Sequence, residues 1–419
     1  MDFSPSPRAA ELTQAVSDFA AEFIEPAEAD YLNDLELARA HGTAWTPLPV
    51  LDELRSLARE RGLWNLFLPN GSGDAYAAKY GTVGGTGLTN VDYAPLAEIT
   101  GRSAIAPFVF NCNAPDTGNM EVLLKYGSAE QQEQWLDPLL DGKIRSSFGM
   151  TEPDVASSDA TTMETTAQLI GDEVVIDGRK WWTTGIGHPD CELIITMAVT
   201  DPEADRHHRH SMVLVPRNAP GVKVERMLST MGIMDEPFGH GEVSFTNVRL
   251  PASYIIGGPG RAFEIAQGRL GPGRVHHCMR LIGLAERSLE LACERSVARS
   301  AFGKPLIDLG GNRERIADAR MAINQARLLV LHAAWKLDTF GSRGSVNEVS
   351  QIKVVVPSMA QQVIDMAMQL HGGAGMSEDF PLAAAWTSAR ALRLADGPDE
   401  VHRGVVAKFE LEPYRNGST

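Results

Sequence analysis

The sequence predicts an α+β protein in which a mostly antiparallel β domain lies between two helical blocks, and two changes of periodicity indicate this order. Apolar residues recur at helical spacing from Leu12 to about residue 141. Short β-rich runs follow between residues 167 and 248, and helical patterns return after the Gly- and Pro-rich residues 257–260. The predicted domains are an N-terminal helical domain over residues 1–147, a middle β domain over residues 148–255 and a C-terminal helical bundle domain over residues 256–419.

The first block contains one well-marked junction between helices. Residues 121–126 have the pattern of a helix end, and Gly127 follows as a stop signal. Residues 128–131 (SAEQ) match a capping box, in which Ser128 and Gln131 each satisfy a free backbone N–H at the start of a helix. A second helix is therefore expected to begin at Ala129.

The middle segment is typical of short strands joined by turns. Gly171-Asp172 lies between β-rich runs that end at Trp181-Trp182, which predicts a hairpin over residues 167–182. Further β-like runs cover residues 193–199, 212–215, 222–224 and 243–248.

The last block is predicted to contain three long helices and two shorter ones. The long patterns cover residues 279–300, 316–339 and 349–370, and Pro357 is expected to kink the third. The shorter patterns cover residues 382–394 and 399–409.

Composition and charge exclude several classes of protein. The 419 residues are 43% hydrophobic and 22% charged, which is typical of folded globular proteins. The formal net charge of -16 disfavours nucleic acid and anionic membranes as partners. The four cysteines show no CxxC spacing and no disulfide-rich density. With no apolar leader or membrane-spanning run in the sequence, we expect a cytoplasmic protein.

Several common catalytic motifs are missing from the sequence. It has no GxxxxGK[ST], no HExxH and no GxSxG, and its Gly-rich runs lack GxGxxG between a strand and a helix. His207, His208 and His210 fall in a charged stretch that is better explained as a solvated loop than as a metal site. No metal is expected.

Four segments resemble motifs of the acyl-CoA dehydrogenase family, in that family's order. They are residues 148–153 (FGMTEP), 180–185 (KWWTTG), 299–305 (RSAFGKP) and 369–375 (QLHGGAG). Each is a weak or moderate signal alone, but the ordered set around a β domain is specific, and the resemblance covers residues 10 to 412. It implies an acyl-CoA dehydrogenase-like fold whose C-terminal domain is a four-helix bundle.

The resemblance also implies a function. The expected reaction is FAD-dependent α,β-desaturation of an acyl-CoA thioester to a trans-2-enoyl-CoA, with flavin N5 taking the β-hydride and an electron-transfer flavoprotein taking the electrons. An acyl-CoA oxidase or flavin monooxygenase of the same fold is the nearest alternative. A non-catalytic binding protein that inherited the fold is another.

The family's catalytic Glu matches Asp396 here, so Asp396 is the expected base for the α-proton. Aspartate is one methylene shorter, and a misplacement of ~1 Å can cost roughly a hundredfold in rate. From the residues alone, Asp396 is better explained as a cap of the helix that starts near Pro398. The resemblance reverses that preference. Arg274 matches an Arg near the substrate and the base. A surface position at a helix start is about equally compatible with the residue alone, but the adjoining run His276-His277-Cys278 favours a position that lines the site, so Arg274 is expected to bind substrate.

The remaining expected site residues bind FAD in the family. Thr184 and Trp182 match the groups beside flavin N5 and the ring, and Thr151 and Ser157 match contacts to the pyrimidine and the pyrophosphate region. Other positions match groups that reach the FAD of a neighbouring subunit, which implies a homodimer or homotetramer with a shared FAD site: Arg299, Phe302, Gln369 and Gly373.

A narrower resemblance concerns residues 273–280 (GRVHHCMR) and 394–402 (LADGPDEVH). They are similar to a branch that in some larger proteins is fused to a kinase-like domain and is associated with longer or 4-hydroxylated acyl-CoA. With 419 residues the expectation is the dehydrogenase unit alone. Acyl length, branching and hydroxylation stay open.

Overall fold

The computed structural model describes residues 2–68 and 87–415, apart from the side chain of Leu270. Its helices in these residues are α1 Pro7–Phe19, α2 Glu25–His41, α3 Pro49–Glu60, α4 Asn90–Thr100, α5 Ala106–Val109, α6 Asp116–Tyr126, α7 Ala129–Gln131, α8 Asp137–Leu140, α9 Ala262–Ala298, α10 Asn312–Gly344, α11 Val346–His371, α12 Leu382–Ala391 and α13 Asp399–Arg415. π-Helical turns Ala20–Ile24 and Gln132–Leu136 follow α1 and α7.

The strands of the described residues fall between residues 145 and 305. They are β1 Arg145–Gly149, β2 Thr166–Ile170, β3 Glu173–Thr184, β4 Cys191–Val199, β5 His210–Pro216, β6 Val222–Leu228, β7 His240–Pro251, β8 Ser300–Ala301 and β9 Lys304–Pro305. No helix within the described residues is both long and apolar enough to cross a membrane.

The chain divides into two compact units. The first comprises Met1–Ile24, Leu88–Pro107 and Arg274–Thr419, and the second comprises Glu25–Gly87 and Phe108–Gly273. The second unit is built on a seven-stranded sheet in the order β1-β4-β2-β3-β7-β6, with β5 paired to β4. Most pairs are antiparallel, whereas β1 and β2 run parallel to β4. The prediction of a mostly antiparallel β domain is confirmed.

Local predictions in this unit follow from turn and cap chemistry. β2 and β3 form the predicted hairpin, pairing Ile170 with Glu173 around Gly171, whose φ of 61° suits glycine. Helix α6 ends at Tyr126 and is followed by Gly127, as expected. Ser128 and Gln131 make both hydrogen bonds of the capping box.

The first unit packs its helices around α11, which contacts α10, α12 and α13. Helix α4 contacts α9 backbone to backbone, because Gly101 and Gly283 leave no side chain between them. Helix α11 continues through Pro357 from Val346 to His371.

Helix α9 corrects one sequence prediction. It begins at Ala262, well before the predicted start at residue 279, and runs through the glycines and Pro272 of residues 268–273. These residue types are typical of loops, so the sequence pattern did not predict the first half of the helix. Packing overrides propensity here: a Cβ at Gly268 would lie 2.6 Å from the hydroxyl of Tyr126.

Candidate active site

The segment after β1 carries Thr151 and Ser157, and a buried ion pair holds it. The Lys180 ammonium donates to the Glu152 carboxylate at 2.7 Å and to the Met150 carbonyl at 3.0 Å. Burial alone would raise the pKa of Glu152, but attraction to Lys180 and backbone N–H donors hold that pKa below its usual range. Ser157 Oγ accepts from the Glu152 N–H at 2.8 Å, which closes the turn.

Strand β3 presents Trp182 and Thr184 beside this segment. The ladder to β7 is irregular between Lys180 and Thr183, and Trp182 adopts a left-handed φ of 54°. Left-handed backbone is strained for a bulky residue and is typical of functional positions. The Trp181 N–H donates to the Thr151 carbonyl at 2.7 Å, so the two segments are directly joined. The structure therefore brings Thr151, Trp182 and Thr184 together.

Thr184 has a partner that the sequence did not indicate. Its Oγ1 lies 2.9 Å from Nδ1 of His240, the first residue of β7, and the rings of Trp182 and His240 are 5.6 Å apart. Burial lowers the pKa of His240, so the ring is neutral near pH 7. This pair fixes the direction of the Thr184 hydroxyl.

Asp396 lies in the loop between α12 and α13, with a left-handed φ of 55°. Helix α13 begins at Asp399, so the residue in the N-cap position is Pro398 and the cap interpretation of Asp396 loses its basis. The Asp396 side chain is 21% exposed and its Oδ2 lies 3.4 Å from Nε2 of His277. The carboxylate is thus partly shielded from water.

Arg274 is part of this site and not of a helix start. It lies within α9, half-buried, and its Nε donates to the Asp396 carbonyl at 3.0 Å. Burial lowers its pKa, and Asp396 opposes that shift. The guanidinium holds the backbone of the loop.

Two further groups hold the same loop, and neither was identified from the sequence. The Lys353 ammonium, buried on α11, donates to the carbonyls of Leu392 at 2.7 Å and Ala395 at 2.9 Å. His402 Nε2, on α13, lies 3.2 Å from the Asp396 carbonyl. A lysine inside the apolar run IKVVV was the available signal for Lys353. His402 ends the segment LADGPDEVH, but that pattern did not indicate its partner, because its role depends on the return of the loop.

The four remaining predicted residues lie on the surface of the first unit. Arg299, Gln369 and Gly373 are exposed, and Phe302 is 96% exposed with a φ of 52°. A chain of contacts joins the segments that carry them: the Arg295 guanidinium lies over the Phe380 ring at 5.9 Å. Phe380 in turn packs on His371 at 4.5 Å.

Comparisons with known proteins agree with this architecture. Models of the acyl-CoA dehydrogenase N-terminal, middle and C-terminal domains match residues 6–143, 147–248 and 260–411. The chain is 49% identical over 413 residues to FadE2 of Mycobacterium tuberculosis, covering 98% of this chain and 97% of that protein. It is 51% identical over 407 residues to mouse acyl-CoA dehydrogenase family member 10, covering 97% of this chain but 37% of that protein.

Solved structures show the same relationship. A protein of Mycobacterium abscessus assigned to the acyl-CoA dehydrogenases is 64% identical, with a TM-score of 0.93 over 98% of this chain and 100% of the other. Butyryl-CoA dehydrogenase of Megasphaera elsdenii is 26% identical, with a TM-score of 0.79 over 98% and 100%. The chain spans about half or less of several curated relatives that it matches.

The fold and these likenesses define a flavoprotein oxidoreductase that acts on CH–CH bonds. The chain belongs to the acyl-CoA dehydrogenase family. The predicted fold class, enzyme class and FAD cofactor are confirmed.

The residues of the second unit fit an isoalloxazine ring. A flavin needs an aromatic wall and hydrogen-bonding groups along one edge, and Trp182 offers the wall while Thr151 and Thr184 offer hydroxyls on adjoining segments. The half-buried Thr184 hydroxyl lies 2.9 Å from Nδ1 of the neutral His240 ring. The donor set therefore suits this cofactor.

Proposed function

We propose that the protein desaturates an acyl-CoA thioester between its α and β carbons, giving a trans-2-enoyl-CoA. The observation that carries this proposal is the environment of Asp396. Its carboxylate is partly shielded, and its carbonyl is held by Arg274 and His402. A carboxylate held in this way is suited to act as a base at a defined point.

Asp396 takes the α-proton, which the neighbouring thioester carbonyl makes acidic. Bound FAD would supply the acceptor for the β-hydrogen, which leaves as hydride. The loop contacts keep the shorter Asp side chain in place, because Lys353 holds the carbonyls of Leu392 and Ala395 while Arg274 holds that of Asp396 itself. Backbone placement offsets the missing methylene, so the rate does not suffer the misplacement cost.

The cofactor is held by two sets of residues in this proposal. Thr151, Ser157, Trp182 and Thr184 bind the flavin side. The exposed Arg299, Phe302, Gln369 and Gly373 reach the FAD of a neighbouring subunit, the guanidinium pairing with a pyrophosphate. The exposure of these four residues supports this assignment. The assignment in turn requires the active form to be a homodimer or homotetramer.

Two further points extend the proposal. The physiological electron acceptor is an electron-transfer flavoprotein, and the protein works in the cytoplasm. The four cysteines, all within the described residues, form no disulfide, which supports a reducing compartment.

The test is replacement of the base without loss of the cofactor. Asp396→Asn should remain yellow and bind acyl-CoA, but its flavin should not bleach under anaerobic conditions, because an amide cannot accept the α-proton. Bleaching would be followed by absorbance with butyryl-, octanoyl-, branched and 4-hydroxyacyl-CoA thioesters. Asp365→Asn, at an exposed position of α11, is the matched control and should bleach normally.

Normal bleaching by Asp396→Asn would falsify the base assignment. Rapid peroxide formation by the wild-type protein, with no added acceptor, would assign an oxidase instead. A colourless protein that takes up no FAD would contradict the enzymatic proposal as a whole.

A further inference from the structure

Helix α9 presents two side chains to Asp396 from one face. Arg274 and His277 are three residues apart, so both lie on the same side of the helix. Arg274 holds the Asp396 carbonyl, and His277 Nε2 faces the carboxylate Oδ2 at 3.4 Å. The neighbouring His276 points away and packs on Tyr93 at 4.8 Å.

The protonation of His277 follows from its other neighbour. The Arg280 NH2 group lies 3.2 Å from His277 Nδ1. A guanidinium can only donate, so Nδ1 must accept and carries no proton. The proton of the neutral ring then lies on Nε2, which is the atom that faces Asp396. The tautomer is assigned from this network.

We propose that His277 is a positioning residue for Asp396, acting as a neutral hydrogen-bond donor to Oδ2 that fixes the direction of the carboxylate. This inference rests on the proposed function of Asp396 as the base. Aspartate has a single terminal torsion, so one bond to Oδ2 sets the direction of Oδ1. A donor also favours the ionised carboxylate over its protonated form.

Several other polar groups near Asp396 contact the backbone of its loop. Arg274, on α9, and His402, on α13, contact the backbone carbonyl of Asp396. Lys353, on α11, contacts the carbonyls of Leu392 and Ala395. The Cys278 thiol faces the region from α9, and burial raises its pKa to about 12, so it stays neutral.

The test compares two substitutions of the same residue. His277→Gln keeps the network, because the amide N–H donates to Asp396 while the amide oxygen accepts from Arg280. His277→Leu has a side chain of similar volume but can make neither of these two hydrogen bonds. The probe is whichever thioester of the panel above bleaches the wild-type flavin fastest, used anaerobically across pH.

His277→Gln should bleach within a few-fold of the wild-type rate. His277→Leu should be slower by about ten- to a hundredfold, the loss expected for one hydrogen bond to a charged group. Its acid limb should also move to higher pH, since the carboxylate loses a donor that favours ionisation. Flavin content and acyl-CoA affinity should stay unchanged, which separates positioning from folding.

A wild-type rate and an unchanged acid limb in His277→Leu would overturn the positioning role, as would equal losses in the Leu and Gln variants. Asp396→Asn distinguishes this failure from failure of the proposed function. If Asp396→Asn does not bleach while His277→Leu is normal, the base assignment stands and the positioning role is wrong. If Asp396→Asn bleaches normally, the proposed function of Asp396 is wrong, and the positioning role that rests on it is wrong as well.

Discussion

The loop around Asp396 is contacted by two histidines from different helices. The partners of each histidine determine which of its ring nitrogens carries the proton. His402 Nε2 faces the Asp396 carbonyl, which can only accept, so this nitrogen carries the proton. His402 Nδ1 then accepts from Ser350 Oγ at 3.3 Å. Burial lowers the pKa of His402 to about 4, which keeps the ring neutral at physiological pH.

This pKa predicts an acid-sensitive contribution to stability. A free histidine has a pKa near 6.5. Between about pH 6.5 and about pH 4, the unfolded chain therefore binds a proton at His402 that the folded chain does not bind. Stability is therefore lost as pH falls through this window and changes little from this group below it. The full contribution is of order 3 kcal/mol at ~1.4 kcal/mol per pKa unit.

His402→Gln tests the prediction, because Gln keeps one donor and one acceptor but does not titrate. We expect its free energy of unfolding, measured by urea at about pH 7 and about pH 4.5, to fall less than that of the wild-type protein. His41→Gln, at an exposed position, should behave as wild type. Equal acid losses in His402→Gln and the wild-type protein would contradict the assignment.

At the scale of elements, the contact between α4 and α9 depends on two glycines. A Cβ at Gly283 would lie 1.8 Å from the Glu98 carbonyl oxygen, and one at Gly101 would lie 2.0 Å from the Arg280 carbonyl oxygen. Backbone cannot give way as a flexible side chain can, so the two helices must separate to admit a methyl group. The same contact sets the position of the α9 turn that carries His277.

Gly283→Ala should therefore destabilise the protein by about 1–3 kcal/mol or more, as overpacking does in a well-packed interior. The matched control is Gly404→Ala on the exposed face of α13, where a Cβ meets nothing within 4 Å. The control should stabilise by about 0.5–1 kcal/mol, the usual gain from replacing Gly in a helix. The free energy of unfolding of both variants would be measured in urea. A Gly283→Ala variant as stable as the wild-type protein would show that the helices can shift freely.

At the scale of the whole molecule, the proposed function requires an acidic chain to bind two ligands rich in phosphate, FAD and an acyl-CoA. The net charge is -16, so the phosphates need local cations or backbone N–H groups. Arg299 is exposed next to Phe302, whose side chain is 96% exposed on a two-stranded arm formed by β8 and β9. An aromatic ring this exposed is typical of an interface with another protein surface.

Phe302→Asp should reduce self-association and FAD retention together if the arm reaches a neighbouring subunit. Asp tolerates the left-handed backbone at this position, so folding should be preserved. The measurement is mass by light scattering with the ratio of flavin to protein absorbance. Met231→Asp, another exposed apolar residue with positive φ, is the control and should change neither. An unchanged mass and flavin ratio in Phe302→Asp would exclude this role.

Much of the fold was predictable from local chemistry. The Gly127 stop, the Ser128–Gln131 capping box and the hairpin at Gly171 are all present, because each depends on residues within a few positions of one another. The start of α9 was not predictable. Pro272 and its neighbouring glycines have loop propensities that packing overrides.

The site divides in the same way. The resemblance to the family, which rests on motifs in a recognisable order, pointed to Asp396, Arg274, Trp182 and Thr184. It did not identify Lys353, His402 or His240 as their partners. Hydrogen bonds between distant elements depend on the path of the backbone, which no local pattern records.

The sequence by itself determined the order of helical and β blocks, the family and the segments that carry the candidate chemistry, since periodicity and short motifs are local properties of the chain. Only the tertiary structure decided that Asp396 is held at a left-handed φ with its carboxylate against His277, and that α13 begins too late for Asp396 to be its cap. The reason is physical: the groups that surround this carboxylate and its loop come from three helices far apart in sequence, and only the folded backbone brings them together.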